Sequence, residues 1–466
     1  MQRPFYLRGK IMKKNIDLLH EPILPALTRL ALPIMATSLV QMAYNMTDMA
    51  WIGRVGAGAV SAVGSAAMFT WFSQGVSSLA RMGGQVKVAH SLGRGDQKEA
   101  GKYAQGALQL GILFAVIFGV ISVVFRRPLI GFFNMQDRQI VRDAEIYLTI
   151  TCGLIIFSFL NAIFTGILTA SGDSRTPFVA NVIGLVINMI LDPFLIFGTG
   201  PIPAMGAAGA AIATVGAQAV VTAVFLWFAR RDTLVFSQVH ILERTGRRYI
   251  RQIIKIGFPA GVQTMIYSGI SMVLTRMVTD FGDTAIAVQK VGSQIESVAW
   301  MTAEGFAAAI NSFIGQNFGA GKTERVKGGY KKAAWIMAAW GLGSSALLIF
   351  GAEPVFRIFI HEPEVVADGI IYLQVLGLSQ MFMCEEILTE GALAGLGKTM
   401  QASVISVIFT AARIPLALLL SATALGLSGI WWAITLTSVV KGFVFVGYFV
   451  TVMRKLPPER ETCRQP

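Results

Sequence analysis

The sequence predicts an all-α integral membrane protein of about twelve transmembrane helices, set as two parallel six-helix repeats, an N-lobe and a C-lobe, around a central cavity. Three observations carry that prediction. Of 466 residues, 54% are hydrophobic and only 14% are charged, where a soluble domain carries about 25% charged residues. The apolar residues fall in blocks of roughly 18 to 30 with the charges swept into the gaps, the length that crosses about 30 Å of hydrocarbon at 1.5 Å per residue. The chain also repeats itself at a spacing of 226 residues. A barrel would show strands of about ten alternating residues, and no such run is present.

Taken in order, the apolar blocks place the first six spans at Leu27 to Ile52, Ala57 to Leu79, Ala104 to Phe125, Ile146 to Ala170, Phe178 to Phe197 and Ala207 to Ala229. The second six run Ile256 to Val278, Thr284 to Phe313, Ala333 to Phe350, Ile370 to Ala394, Met400 to Thr423 and Gly429 to Val452. These bounds divide the chain into an N-terminal segment 1–26, an N-lobe 27–229, a basic linker 230–255, a C-lobe 256–452 and a tail 453–466.

Lys and Arg are retained in cytoplasmic loops, so their distribution sets the orientation. With both termini cytoplasmic, the inner segments hold 28 of the 39 Lys and Arg residues and the outer loops hold 6. A multi-pass protein of the plasma membrane, the inner membrane of a two-membrane cell, follows. The same bias explains the net charge of +13 without a nucleic acid partner. Arg230, Arg231, Arg244, Arg247, Arg248, Arg251 and Lys255 crowd the middle inner loop, facing anionic membrane lipids. The N-terminal segment lacks a cleavable apolar core and reads as a surface segment rather than a signal peptide. Cys152, Cys384 and Cys463 are widely separated and show no metal-ligand spacing, so neither a disulfide nor a metal site is expected.

The repeat pairs Pro33 with Pro259, Gly56 with Gly282, Gly93 with Gly319 and Gly95 with Gly321, each 226 residues apart. Further on, Gly166 matches Gly391 and Gly172 matches Gly397 at 225, and MGAAGAAIAT matches LGLSGIWWAI at 220, so the second copy carries short deletions. Six spans per copy make the repeats parallel, which puts a transport path between the bundles near the midplane. No nucleotide-binding loop is present, and no cofactor is implied; the expected energy source is a proton or sodium gradient.

Ionisable residues inside spans cost about 2.5 to 3.5 kcal/mol each on the insertion scale and mark function. In the first span Gln41, Tyr44, Asn45 and Asp48 recur at helical spacing as one polar stripe. Asn181, Asn188 and Asp192 share a face of the fifth span, and Thr214 and Gln218 follow in the sixth. Counted from the outer ends at 1.5 Å per residue, Asp48 lies about 6 Å deep, Asp192 about 8 Å and Thr214 about 10 Å. Asp48, Asn188, Asp192 and Thr214 are therefore expected to form one cation or proton site in the outer half of the N-lobe. Pro193 frees a carbonyl beside it. The repeat position of Asp48 is Leu274 and that of Asp192 falls near Ile414, both apolar, so the helices do not need an acid there to fold. The second copy has Glu296, Glu304, Glu385, Glu386 and Glu390, with Lys290, Arg413 and Lys441 as possible partners, and a structural or inner-gate role is expected for them. Methionines such as Met35, Met42, Met46 and Met49 pack the first span.

With these residues in place the chain resembles the multidrug and toxic compound extrusion (MATE) transporters, and within them the DinF branch. LALPIMATSLVQMAYNMTDMAWIGRVG, LGRGDQKEA with its echo FGAGKTERVK, and GILTASGDSRTP with GALAGLGKT carry the resemblance over essentially the whole chain. It implies a V-shaped pair of lobes that exports hydrophobic organic cations in exchange for protons, or for sodium ions held at Asp48, Asn188 and Asp192, in a monomer. It further implies a substrate site at Gln41, Tyr44, Asn45 and Asp48. The acids that the NorM branch carries in its seventh and tenth spans fall on Tyr267 and Met383 here, which places coupling in the N-lobe. A lipid-linked saccharide flippase of the same superfamily would need several inward-facing basic residues, and the N-terminal spans offer only Arg29. An enzyme is not expected: His20, His90, His240 and His361 all lie outside the spans.

Overall fold

A computed structural model describes residues 16–133, 135, 137–198, 203–360 and 362–459, with the side chains of residues 45, 46, 49, 50, 57 and 283 left aside. His361 and Cys463 are outside the described residues. The first copy comprises α1 (Ile23–Val55), α2 (Ala57–Gly93), α3 (Gln97–Val124), the short α4 (Arg126–Gly131), α5 (Arg138–Gly153), α6 (Ile156–Ala170), α7 (Arg175–Phe197) and α8 (Gly206–Ala229). The second comprises α9 (Arg247–Thr279), α10 (Asp283–Gly319), α11 (Thr323–Phe350), the short α12 (Ala352–Arg357), α13 (Pro363–Gly377), α14 (Gln380–Gly395), α15 (Thr399–Ala411), α16 (Arg413–Ser421) and α17 (Leu427–Arg454). The duplication extends to detail: α4 and α12 begin at Arg126 and Ala352, again 226 residues apart.

By length and composition, seven helices among the described residues cross a membrane, and nine do if each bent pair is one span. The remaining three rods are α2, α9 and α10, of 37, 33 and 37 residues. They are less apolar, and polar groups are buried along them, such as Ser73, Ser77 and Gln85 of α2 and Asn311 and Ser312 of α10. Two spans expected as straight rods are broken. The fourth bends by 43° between α5 and α6, and the tenth by 48° between α13 and α14. In both, the leading half ends on a glycine, Gly153 or Gly377, where a helix bends most readily. α2 and α10 also outrun the expected spans, which brings His90 into the buried end of a helix.

The lobes meet where α2 packs on α9, α1 on α10, and α2 on α10, the pairings of a pseudo-twofold axis. The backbones approach too closely for side chains. A Cβ added at Gly257 would lie 1.8 Å from the Leu79 carbonyl oxygen, and one at Gly83 would lie 2.2 Å from that of Ile253.

The two ends of the described residues, near Leu18 and Pro457, lie on one face of the molecule. Asn317 Nδ2 donates to the Leu18 carbonyl at 3.0 Å, and Thr323 Oγ1 donates to the Pro457 carbonyl at 2.8 Å. On this terminal face the lobes are bolted together. Gln316 donates to the Ala170 carbonyl and His90 Nε2 to that of Gly395, both at 2.7 Å, and Gln85 donates to Ser312 Oγ at 3.2 Å. A short strap crosses the same face. The Ile16 amide donates to the Gly172 carbonyl of the N-lobe, while Arg325 Nη2 of the C-lobe donates to the carbonyls of Leu18 and Glu21. At the opposite face the repeat glycines Gly56 and Gly282 look onto open space.

Candidate functional site

The polar stripes of α1 and α7 meet because these helices pack along much of their length, and α8 packs on α7 behind them. Asp192 is fully buried and Asn188 nearly so. Asn188 Nδ2 donates to Asp192 Oδ1 at 2.9 Å, one turn apart on α7. The Asp48 carboxyl of α1 lies close enough to Asp192 for the two acids, from different helices, to feel each other's charge. Oδ1 of Asp48 and Oδ2 of Asp192 are buried without a protein partner. Among the described residues no ion pair neutralises either acid. Two neighbouring carboxylates repel unless a proton or a cation lies between them.

Thr214 of α8 stands beside the pair, with its Oγ1 3.5 Å from the Tyr44 hydroxyl. The structure adds the buried Tyr147 of α5, which lies near Thr214 and within reach of the charge of both acids. Sequence reasoning missed it, since a tyrosine at the mouth of a span reads as an interfacial belt residue.

The other expected residues divide. The Asn45 side chain is outside the described residues. Gln41 lies two turns below Asp48 and lines a separate cavity of about 220 Å³ with Thr37, Ser38, Thr165 and Asn181. Asn181 donates to its own helix at the Pro177 carbonyl, 2.7 Å away, so the α7 stripe does not act as one unit. Gln218, grouped with Thr214 by spacing, is a strut: Asn161 Nδ2 of α6 donates to its Oε1 at 2.8 Å, and Thr222 donates to Asn161 Oδ1 at 2.8 Å.

The C-lobe supplies a control built into the fold. Leu274 and Ile414, at or near the repeat positions of Asp48 and Asp192, pack into one apolar cluster with Ala417 and Ala433. The corresponding region of the C-lobe is thus apolar, and only the N-lobe carries acids there. Among the C-lobe acids Glu386, Glu390 and Glu296 have partners, while Glu385 Oε1 and Glu386 Oε2 are buried without one. Lys441 Nζ lies 2.6 Å from Glu386 Oε1, with both side chains under a tenth exposed. Gln263 donates to Glu390 at 2.8 Å, and Gln380 and Tyr372 donate to Glu296 at 3.2 and 3.4 Å. Arg413 instead bonds Thr437 and Ser438, and Lys290 is exposed. Glu304 of α10 feels the charge of Arg81 across the lobe interface. Cys152 and Cys384 are free and buried.

Against known proteins, the MatE family model matches residues 33–194 and 259–419, one match per repeat. A probable multidrug resistance protein NorM of Thermotoga maritima is 29% identical over 410 residues, 87% of each chain. An FAD transporter of Shewanella oneidensis is 24% identical over 376 residues, 78% of this chain and 80% of the relative. Among solved structures, an outward-facing multidrug resistance MATE family transporter of the MOP superfamily superposes with a TM-score of 0.88 at 23% identity, covering 95% of this chain and 99% of that one.

Proposed function

We propose that this chain, which belongs to the MatE family of membrane transporters and so has its twelve-span, two-lobe fold, is a secondary antiporter that exports hydrophobic organic cations in exchange for protons. The relatives named for multidrug resistance support the efflux reading. One observation carries the coupling: two neighbouring buried acids, Asp48 and Asp192, stand in the N-lobe while the C-lobe carries Leu274 and the apolar stretch near Ile414 in their place. An N-lobe position for the coupling acids is what supports a place in the DinF branch.

The proposed cycle follows from the charge of the pair. Doubly ionised, it holds an organic cation in the N-lobe cavity. A unit charge at about 4 Å contributes roughly 4 kcal/mol at an effective dielectric of 20. Proton uptake from the open side cancels that attraction and discharges the cargo. By linkage, cargo binding must expel the proton. Asn188 keeps Asp192 aimed at Asp48, and Thr214, beside Tyr44 and Tyr147, offers the hydroxyl that follows the proton. The terminal face, sealed here, is the cytoplasmic one by the distribution of Lys and Arg, so this conformation is the one that releases cargo outward.

The test is efflux of an organic cation from proteoliposomes under an imposed pH gradient or an imposed sodium gradient, one at a time. Efflux under the pH gradient alone, lost in Asp48→Asn, is expected, together with substrate affinity that falls with falling pH in wild type and is flat in the variant. Efflux driven by sodium alone would refute proton coupling and assign the Asp48, Asn188 and Asp192 oxygens to a sodium ion.

A further inference from the structure

Between α8 and α9 the chain does not cross open water. It climbs the outside of α3. Gln238 packs on Gly101, Thr245 on Gly106, and the loop tip reaches Gln109. From Gly101 to Gln109 is eight residues, about 12 Å along the helix toward the membrane centre. The climb is stapled by two glutamines of α3. Gln105 Nε2 donates to the Glu243 carbonyl at 2.7 Å, and its Oε1 accepts from the His240 amide at 3.1 Å. Gln109 Nε2 donates to the Ile241 and Glu243 carbonyls at 2.9 and 2.6 Å, and its Oε1 accepts from the Thr245 amide at 3.3 Å. Side chains that saturate loop carbonyls in this way are what a loop needs where water is scarce.

The tip exposes an apolar pair, Leu242 at 100% and Ile241 at 42%, directly before the exposed Glu243 and Arg244. About two turns nearer the terminal end of α3 lies a belt of cations. Lys87 sits 5.7 Å from the Tyr103 ring and Lys102 5.5 Å from the Tyr249 ring, while Arg248 and Lys255 lie close enough to Lys87 to repel it and Arg94 beside them pairs with Glu99. Tip and belt are therefore separated along the membrane normal by roughly the 9 Å from Tyr103 to Gln109. That is the spacing between the phosphate layer and the upper acyl chains, with the charges on the outer side and the apolar pair on the inner.

We infer that residues 239–246 form a lipid anchor: Ile241 and Leu242 insert among the acyl chains of one leaflet while the cationic belt above them holds the phosphodiester groups of anionic phospholipids. Since α9 starts at the residue after this loop and packs across the lobe interface on α2, the anchored lipid fixes the hinge end of the C-lobe's first helix.

The test uses the full chain with Cys463→Ser, which leaves only the buried Cys152 and Cys384, and carries Leu242→Cys labelled with bimane. The protein is placed in nanodiscs of phosphatidylcholine and phosphatidylglycerol that contain a lipid with a shallow acyl nitroxide. Quenching by the nitroxide lipid and protection from aqueous iodide are expected. Emission open to iodide and untouched by the nitroxide, as for a tip that awaits a protein partner, overturns the inference. Ile241→Cys gives the same readout should the first variant fail to fold. In a second arm, Lys102→Gln with Arg248→Gln should lose the retention of phosphatidylglycerol through purification while the tip stays quenched. Undiminished retention overturns the headgroup half.

Discussion

Gly257→Ala tests whether the closely packed lobe interface sets the conformational balance. The new methyl would sit 1.8 Å from the Leu79 carbonyl oxygen, with the Leu79 backbone directly behind it. Carbon and oxygen tolerate about 3.3 Å, so α2 and α9 must separate by roughly 1.5 Å. A backbone carbonyl inside a helix cannot swing aside as a flexible side chain does. Overpacking of this kind costs about 1–3 kcal/mol, a shift of roughly 5- to 150-fold against the sealed terminal face. Spin labels at Lys98→Cys on α3 and Glu324→Cys on α11, in a Cys463→Ser background, report the width of that face by their distance distribution. A longer-distance population should grow in Gly257→Ala. Gly269→Ala is the internal control, because it lies on the same helix with nothing within 4 Å and receives the same gain in helix propensity. Identical distances and identical efflux in wild type and Gly257→Ala would refute the reasoning.

Lys441→Met strands the Glu386 carboxylate in the C-lobe and should lower stability by about 3–5 kcal/mol, whereas Lys441→Met with Glu386→Gln recovers most of it. Thermal unfolding in detergent decides this, and a double variant no more stable than the single one contradicts the pairing. His90 lies beyond the expected end of its span at Leu79. Burial first, then the nearby Lys87 and Arg94, hold its pKa down to about 4. Its contribution to the seal is therefore complete above the ordinary histidine value of about 6.5 and is lost as pH falls toward 4. The Lys98 to Glu324 label distance should lengthen on acidification in wild type and change less in His90→Gln; equal responses would exclude His90 as the sensor.

The sequence by itself determined the solvent, the helices and the duplication. Lipid admits backbone only when its hydrogen bonds close within each segment, so an apolar block of span length can only be a helix, and parallel copies follow from an even span count. It also determined the level of Asp48, Asp192 and Thr214, since the rise per residue is constant. Rise gives depth but not azimuth. That Asp48 meets Asp192, that Gln218 turns away to Asn161, and that Asn181 satisfies its own helix depended on how α1, α7 and α8 are rotated against one another. The bends after Gly153 and Gly377 were hidden because an apolar run continues unbroken through them. The full length of α2 and α10 was hidden for the converse reason. Their inner turns are polar because they face the other lobe rather than lipid, and a polar turn reads as a loop until tertiary packing supplies what it is bonded to.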